Sequence, residues 1–411
     1  MATWLIPRTE LTPEQLRAVE FEPGEHRVIF GAPGSGKTQI LLHRARYLCD
    51  RWRVSPERFR IFVFTNVLKN YISSALDLLS LPPSCVSTLD YWVVEYYEHH
   101  ISGNLPWNSA ERRPDFALIR QEVLRVLRSS TQAMPQFDFI LVDEGQDLDG
   151  IAFELLRAIG KHITVCIDHK QQIYDHGSDE SEILSRLGMR KKNFALLSAF
   201  RCCPFVVRLA AEFVADPKEK DAYLNQARTA QTERETPLLY RAQDFDDEKR
   251  RLIEILRVRL AKAEKIGVLL PQKRQVFGFA SGFRDAGLEV ETQDDLDFSS
   301  DLPKLITYHS AKGLTFDTVL LPRLVRSSFS NMKDSRVERL LFVAISRATK
   351  WVYMSTTSTS DFGPVHRLEQ HQESDWLTIQ DGNPSRSTST RKRDPEPSQS
   401  PSNNDDLLGL L

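Results

Sequence analysis

Hydrophobic positions in the first half of the chain form short runs of β-branched and aromatic residues, separated by segments with helical spacing. Such runs are typical of strands buried on both faces, and their alternation with helices predicts a parallel α/β sheet. The segment 91–136 is predicted to be mainly helical, with a loop at 103–114. The predicted strands of this half are 27–30, 61–65, 84–88, 139–142, 164–167 and 194–197.

A second alternation of strands and helices follows, so the chain is predicted to contain two α/β halves. The first domain is expected over residues 1–195, with a reduced helical insertion at about 91–136, and the second over 196–379. A helix is predicted at 246–263. The strands predicted for the second half are 237–240, 266–270, 288–291, 304–307, 318–321 and 351–355.

Residues 380–411 are rich in Ser, Pro, Asn and Arg, a composition that cannot bury enough apolar surface to fold. A disordered C-terminal tail is therefore predicted. Its final LLGLL is consistent with an inert end or with a short docking motif.

Composition narrows the class of protein. The 411 residues are 41% hydrophobic and 27% charged, as in soluble globular proteins, and no apolar run is long enough to cross a bilayer. The net charge of −2 means that any nucleic-acid binding must come from a local groove. The five cysteines lack zinc spacing, which predicts reduced thiols in a cytoplasmic protein without a structural metal. Cys202 and Cys203 are either a redox-active pair or two small buried residues.

The segment GAPGSGKT at residues 31–38 lies between a predicted strand and a predicted helix, as a phosphate-binding loop requires. Backbone amides of the loop can surround a phosphate at the helix N-terminus. Lys37 can reach the outer phosphates, and Thr38 can bind Mg²⁺ through its hydroxyl. ATP and Mg²⁺ are therefore the predicted ligands. The loop residues assigned to nucleotide binding are Gly31, Gly34, Ser35, Gly36, Lys37 and Thr38.

The segment FILVDEGQD at residues 139–147 supplies a second half-site. A buried strand would carry Asp143 to the sheet edge beside the loop, where it holds Mg²⁺, and Glu144 would act as general base. An acidic surface turn is the alternative, and the upstream phosphate loop disfavours it. Arg201 and Arg347 are candidates for the positive charge that phosphoryl transfer needs, although either alone is consistent with an ordinary surface arginine.

With these residues assembled, the chain resembles the UvrD/Rep/PcrA DNA helicases of superfamily 1, whose motifs occur here in the family's order. The resemblance implies that Gln15 reads adenine, Gln171 senses the γ-phosphate, and Phe200 packs on the adenine. It also implies nucleotide contacts by Gln39 and Gly313, and makes Arg201 and Arg347 arginine fingers. The segments that carry it are LTPEQ (11–15), VFTNVLKN (63–70), STLDYW (87–92), DEGQD (143–147), IDHKQQIY (167–174), LLSAFRCCP (196–204), ITYHSAKGLTFDTVLLP (306–322) and VERLLFVAISRATKWVYM (337–354).

The resemblance further implies two RecA-like P-loop lobes with ATP in the cleft between them. Single-stranded DNA would cross both lobes and be moved 3′ to 5′. For Phe64 and Tyr174, packing in the core is an alternative to DNA contact. The residues expected to face DNA are Phe64, Asn66, Tyr91, Tyr174, His176, His309 and Lys312.

The chain departs from the family pattern in ways that bear on function. Only residues 93–142 separate the STLDYW and DEGQD segments, and 202–305 separate Arg201 from the ITYHSAKGLTFDTVLLP segment, so the second insertion domain is expected to be absent. Arginine is common at position 39, and Thr315 stands where glutamate is common.

Two functions therefore stay open: a single-stranded-DNA-stimulated translocase or helicase, and an ATP-dependent DNA-end sensor that regulates a partner nuclease in a defence complex. Binding of RNA in place of DNA is also open. No guanine-reading or acceptor-binding segment points to a GTPase or kinase.

Overall fold

A computed structural model describes the chain over residues 4–31, 34–110, 112–129, 136–168, 180–189, 194–196, 202–227, 235–330, 332–358 and 362–382. Within these ranges the strands form a six-stranded sheet from the first half and a seven-stranded sheet from the second half. All strand pairs within both sheets are parallel. The predicted α/β class with two parallel P-loop-type sheets is confirmed.

The first sheet has the order β3-β2-β6-β7-β1-β8, in which β1, the strand leading into the phosphate loop, lies between β7 and the edge strand β8. Phe62 of β2 pairs with Val142 of β6, which brings the ends of these strands to one edge. Its strands are β1 (Arg27–Gly31), β2 (Phe59–Val63), β3 (Val86–Thr88), β6 (Phe137–Val142), β7 (Gly160–Ile167) and β8 (Phe194–Leu196).

A separate two-stranded hairpin, β4 (Trp107–Asn108) with β5 (Arg113–Pro114), lies inside the predicted helical insertion. It was not anticipated from the sequence, because strands of two residues have no readable hydrophobic period.

The second sheet has the order β11-β12-β10-β13-β14-β9-β15. Its strands are β9 (Leu238–Ala242), β10 (Ile266–Leu270), β11 (Glu291–Thr292), β12 (Lys304–Thr307), β13 (Phe316–Leu321), β14 (Ala348–Thr357) and β15 (Thr378–Asp381).

Helices cover both faces of the sheets, which is why the strands read as continuous hydrophobic runs. Among the described residues, no helix is long and apolar enough to cross a membrane. The helices are α1 (Pro13–Glu20), α2 (Lys37–Trp52), α3 (Asn66–Ser73), α4 (Leu89–His100), α5 (Phe116–Ser129), α6 (Gly150–Ile159), α7 (Glu180–Arg186), α8 (Pro204–Ala211), α9 (Pro217–Ala227), α10 (Phe245–Ala261), α11 (Lys273–Asp285), α12 (Asp334–Ile345) and α13 (Gly363–Glu369).

The largest hydrophobic cluster is continuous between the two halves. It includes Ile29 and Leu41 on the first side and Ile306 and Leu341 on the second, all at most 1% exposed. The cluster therefore packs the two halves against each other.

One sequence boundary needs correction. The tail was predicted to begin at residue 380, but Gln380 and Asp381 belong to β15, which pairs with β9. Trp376, just before this strand, is fully buried and anchors it. The other domain boundaries stay predictions, and residues 383–411 lie outside the described residues.

Candidate nucleotide site between the two sheets

The phosphate loop connects the end of β1 to the start of α2. Gly34 and Gly36 have left-handed backbone angles, with φ of +76° and +85°, which a residue with a side chain rarely adopts. A Cβ on Gly36 would lie 2.5 Å from Nε2 of Gln15. The 16-residue helix α2 begins directly after this turn, so the N–H groups of its first turn face the loop and can bind an anion.

Gln15 makes three hydrogen bonds, one of which joins it to this loop. Its backbone N–H donates to the Thr12 hydroxyl at 3.2 Å, and the Thr12 N–H donates to its side-chain oxygen at 3.0 Å, which forms a capping box at the start of α1. Its side-chain amide donates to the Ser35 carbonyl at 3.0 Å. The structure thus brings Gln15 to the loop, and its contact with adenine stays a prediction.

Lys37 lies at the first turn of α2 and is 8% exposed. Its ammonium donates to the Gly31 carbonyl at 2.7 Å and to Oδ2 of Asp168 at 3.3 Å. Asp168 follows the end of β7 and was not singled out in the sequence, although an acidic residue directly after a buried strand is a usable signal. The Lys37 ammonium therefore lies among oxygen atoms at the place where the phosphates are expected.

Thr38 and Asp143 meet at the same place, since the Thr38 hydroxyl donates to Oδ2 of Asp143 at 2.7 Å. Burial raises the pKa of Asp143 to about 6, and the neighbouring charge of Glu144 adds to the rise. A hydroxyl and a carboxylate are hard oxygen ligands of the kind that Mg²⁺ binds. The predicted pair of Mg²⁺ ligands therefore fits the ion in its donor chemistry.

Glu144 adopts a left-handed backbone conformation with φ of +55°, which is uncommon for a residue other than glycine. Its side chain accepts a hydrogen bond from the Gln146 amide at 2.5 Å. Burial acts to raise the pKa of Glu144, but the charges of Lys312, Lys37 and Arg347 outweigh burial and lower it. Glu144 is consequently an ionised carboxylate beside the phosphate loop.

Lys312 reaches this acidic group from the second sheet's side, in the segment after β12. It is 1% exposed, contacts Oδ2 of Asp147 directly, and lies 3.5 Å from Oε2 of Glu144. Burial raises the pKa of Asp147 to about 7 even though Lys312 opposes the rise. The predicted DNA contact of Lys312 needs correction, because its ammonium is buried among carboxylates.

Arg347 follows the end of α12 and is 5% exposed. Its guanidinium donates to the Val343 carbonyl at 3.0 Å, the Ser346 hydroxyl at 3.0 Å and the Leu314 carbonyl at 3.4 Å. These bonds hold the Arg347 guanidinium beside the cavity that Lys37 and Glu144 of the first half also line. Its predicted role at the γ-phosphate agrees with this position but stays a prediction.

Four of these side chains, those of Lys37, Thr38, Glu144 and Arg347, line a cavity of about 360 Å³ between the two sheets. Gly313 lies on its wall with φ of +78°, and a Cβ there would be 2.9 Å from the Leu68 side chain. The described lining residues are Trp4, Gly34, Gly36, Lys37, Thr38, Gln39, Tyr71, Glu144, Lys265, Gly313, Thr315, Phe316, Asp317, Arg347 and Thr349.

Gln39 has a different set of contacts from those expected for a nucleotide ligand. Its amide nitrogen donates to the Trp4 carbonyl at 2.9 Å, and its oxygen accepts from the Ile6 N–H at 3.1 Å. The side chain thus ties the N-terminal segment to α2 while it lines the cavity. Trp4 and Tyr71, which also line it, were missed, since isolated aromatic residues outside a motif carry no sequence signal.

Three of the residues predicted to face DNA follow the carboxyl ends of β2 and β3. Phe64 is half-buried, Asn66 is exposed at the start of α3, and Tyr91 is 57% exposed on α4. The ammonium of Lys69 lies 5.3 Å from the Tyr91 ring centroid. His309 is half-buried on the other half, where burial and the charges of Arg336 and Lys312 lower its pKa. Their roles stay predictions.

Several predicted site residues lie outside the described residues, so the structure says nothing about them. They are Gln171, Tyr174, His176, Phe200 and Arg201.

The neighbouring cysteines Cys202 and Cys203 are both buried, and neither forms a disulfide. Burial raises the pKa of Cys202 to about 11, which keeps its thiol protonated and unreactive near neutral pH. Of the two readings of this pair, the structure favours small buried residues over a redox-active pair.

Comparison with known proteins shows that two parts of this chain match known domain families. Residues 15–176 match the AAA domain family, and residues 304–355 match the UvrD-like helicase C-terminal domain family. The first match contains the phosphate loop with Asp143 and Glu144, and the second contains Lys312, Gly313 and Arg347.

Two relatives carry helicase names. A probable DNA helicase of Mycoplasma pneumoniae is 21% identical over 463 aligned positions, which cover 87% of this chain and 85% of the relative. The mitochondrial ATP-dependent DNA helicase HMI1 of Saccharomyces cerevisiae is 23% identical over 289 positions, which cover 51% of this chain and 41% of the relative.

Among solved structures, the C-terminal domain of a possible DNA helicase from Lactobacillus strain WCFS1 is 14% identical, with a TM-score of 0.35 over 44% of this chain and 99% of that chain. This similarity is too low to describe the fold. The two domain matches in their order along the chain, together with the helicase relatives, support a UvrD-like helicase of superfamily 1.

Proposed function

We propose that this chain is an ATP-driven DNA motor that hydrolyses ATP between its two sheets and translocates 3′ to 5′ on single-stranded DNA. One observation carries the proposal: Lys37, Thr38 and Glu144 of the first half line the same cavity as Arg347 of the second. The names of the two relatives, both DNA helicases, support the choice of DNA as substrate.

The phosphate end of ATP would be bound by the backbone N–H groups at the start of α2 and by Lys37. Lys37 would exchange its bonds to the Gly31 carbonyl and Asp168 for phosphate oxygens. Because Lys37 is almost fully buried, its charge acts through little water and binds the phosphates strongly.

Thr38 and Asp143 would hold Mg²⁺, which supplies positive charge to the phosphate oxygens when bound. Glu144 would orient the attacking water and accept its proton, a role open to it because its carboxylate is ionised. Arg347 would stabilise the negative charge that spreads over the γ-phosphate in the transition state. Each of these groups is already oriented by hydrogen bonds within the protein.

Hydrolysis would be coupled to movement because the site is divided between the two halves. Arg347 can serve a phosphate bound at Lys37 only while the halves are close, so binding and loss of ATP would change their separation. Single-stranded DNA held across both halves, with Phe64, Asn66 and Tyr91 at the edge of the first sheet, would then be moved stepwise.

The direct test is ATP turnover with and without single-stranded DNA. We expect DNA to raise the rate, and Lys37→Ala to lower it by about a hundredfold or more, since one buried charge on the phosphates contributes about 3 kcal/mol. Lys161→Ala is the matched control, because Lys161 is a half-exposed lysine of the same sheet that pairs with Asp138. An unchanged rate on addition of single-stranded DNA would contradict the proposal.

A second candidate is a nucleotide-dependent sensor of DNA ends that regulates a partner nuclease. The observation that favours it is the small insertion between β3 and β6, where the described residues form only α4, the β4–β5 hairpin and α5. A strand-displacement assay on a 3′-tailed duplex separates the two, because unwinding by the isolated chain is expected of the motor and not of the sensor.

A further inference from the structure

The inter-sheet cavity has aromatic as well as polar lining residues. Trp4, Tyr71 and Phe316, here called the aromatic end, line the same cavity as Lys37 and Arg347. The indole of Trp4 stacks on the Tyr71 ring with centroids 4.1 Å apart and planes inclined by 19°. This aromatic end adjoins a smaller cavity of about 30 Å³, which is also lined by Trp4 and Tyr71.

Trp4 is fixed in place by its backbone as well as by its ring. The Gln39 amide donates to the Trp4 carbonyl at 2.9 Å and the Trp4 indole N–H donates to the Ser74 hydroxyl at 3.1 Å. Gln39 directly follows Thr38, so a short covalent path joins the phosphate-binding turn to the residue that holds Trp4. The indole therefore keeps a constant position relative to bound phosphates.

The second half of the chain closes the same end from across the cavity. Phe298 packs edge-on against Tyr71 with ring centroids 5.0 Å apart. Its loop is built around the buried ammonium of Lys304, which bonds Oε2 of Glu291 at 2.7 Å, the Asp297 carbonyl at 2.7 Å and the Ser300 hydroxyl at 2.8 Å. The aromatic end is thus a defined pocket wall with contributions from both halves.

We propose that Trp4, backed by Tyr71, is the surface on which the base of the bound nucleotide stacks. This inference rests on the proposed function, since it assigns the base end of the same ATP site. One indole face packs on Tyr71, and the base would use the opposite face. A flat aromatic surface suits a purine, because the two fused rings of a purine give a larger stacking area than a pyrimidine. This contact involves the base alone and does not depend on the number of phosphates.

The experiment compares ATP with inorganic tripolyphosphate, which has the phosphates without the base. Kinetic constants for ATP and inhibition constants for tripolyphosphate would be measured for the wild type, Trp4→Ala and Trp4→Phe. Trp107→Ala is the control, because Trp107 is 58% exposed on the distant β4–β5 hairpin. The alanine variant retains the backbone atoms of residue 4 that bond Gln39, so the phosphate turn keeps its support.

For Trp4→Ala we expect KM for ATP to rise about tenfold with a smaller change in kcat, because base stacking is worth roughly that factor. Tripolyphosphate inhibition should stay within twofold of the wild type, and Trp4→Phe should recover most of the loss. Equal weakening of ATP and tripolyphosphate would show that Trp4 only supports the loop. No change in either would also overturn the proposal.

A binding measurement keeps this inference separate from the proposed function. The tryptophan fluorescence that is lost in Trp4→Phe should be quenched by ATP but not by tripolyphosphate. If the wild type fails to hydrolyse ATP but shows this quenching, the proposed function fails and the base-stacking surface stands. If the wild type hydrolyses ATP without quenching at Trp4, only the base-stacking surface is excluded.

Discussion

The acidic residues at the carboxyl end of β6 depend on a cation from the other sheet. Glu144 and Asp147 are buried, and Lys312 contacts both from the segment after β12. Buried charges are tolerated only when they are paired, so this lysine stabilises the two carboxylates and joins the two halves.

Removal of this cation should be costly. Lys312→Met is expected to lower the free energy of unfolding by about 3 kcal/mol, since it leaves buried carboxylates with less compensating charge. Chemical denaturation followed by circular dichroism measures the loss, and Lys312→Met with Asp147→Asn should recover part of it. The half-exposed Lys161→Met, which breaks a surface pair with Asp138, should cost less than about 1 kcal/mol. A Lys312→Met protein as stable as the wild type would refute the buried pairing.

A second residue-level prediction concerns acid stability. Burial, followed by the charge of Arg44, lowers the pKa of His162 to about 3 from its ordinary 6.5. Below pH 6.5 the unfolded chain binds a proton that the folded chain rejects, so stability is complete above this pH and falls as the pH decreases. The slope contributed by His162 should be about 1.4 kcal/mol per pH unit.

The measurement is the free energy of unfolding between pH 7 and pH 5 for the wild type and His162→Gln. Glutamine retains an oxygen that can accept from Arg44, which bonds the His162 ring nitrogen at 3.1 Å. The variant should show a shallower decline than the wild type, and identical declines would count against a neutral, buried imidazole.

At the scale of single residues, the sequence predicted the main chemical groups of the site but not the side chains that contact them. Lys37, Thr38, Asp143 and Glu144 belong to local motifs, in which the spacing itself indicates the chemistry. Contacts such as those of Lys312 with Asp147 join residues far apart in the chain, and only the packing of the two sheets determines them.

At the scale of secondary-structure elements, the helix that carries Gln15 is attached to the sheet by one buried side chain. Arg44 of α2 is fully buried and donates to the Val19 carbonyl at 2.9 Å and the Phe21 carbonyl at 2.8 Å at the end of α1. It also donates to the Thr164 hydroxyl on β7 at 3.0 Å. Arg44 therefore satisfies the terminal carbonyls of α1 and positions this helix beside the phosphate loop.

We expect Arg44→Met to lower the free energy of unfolding by about 3 kcal/mol, because several buried acceptors lose their donor. KM for ATP should rise as well, and Arg44→Lys should restore part of both properties. Arg46→Met on the same helix is the control, since Arg46 forms an exposed pair with Asp50 worth less than about 1 kcal/mol. Thermal and chemical unfolding of the three variants measure these losses of stability. Equal losses for Arg44→Met and Arg46→Met would show that Arg44 serves only to fill space.

Strands were predicted where their residues form a continuous apolar run. The strands β1, β10 and β12 were predicted to within one residue, because buried parallel strands read as continuous apolar runs bounded by turns. Only the polar strand β15 and the β4–β5 hairpin were missed altogether among the described strands. The side chains of β15 are largely exposed and the hairpin strands have only two residues each, so their pairing depends on neighbours that the local pattern does not identify.

For the whole molecule, Gly313 marks a place where the two halves approach each other closely. A side chain there would need a left-handed backbone and would meet the Leu68 side chain at 2.9 Å. The absence of a Cβ at this position therefore allows Arg347 and the phosphate loop to face each other across a narrow space.

Gly313→Ala should lower ATP turnover by about tenfold, since backbone strain and the new contact together cost about 1–3 kcal/mol. A double variant with Leu68→Ala should recover only the part caused by the contact, because the backbone strain persists. Steady-state ATP hydrolysis measures both effects. Full activity of Gly313→Ala would show that the halves do not need this close approach.

The final strand of the second sheet has a consequence for the handling of this protein. Through β15, the apolar strand β9 is paired on both sides, whereas the side chains of Thr378, Gln380 and Asp381 on β15 itself are exposed and polar. An ion pair between Arg241 and Asp381 adds charge at this border. Shortened versions that end before β15 would present the open backbone of β9 to neighbouring molecules, and would be lost by aggregation through strand pairing rather than by any defect in their chemistry.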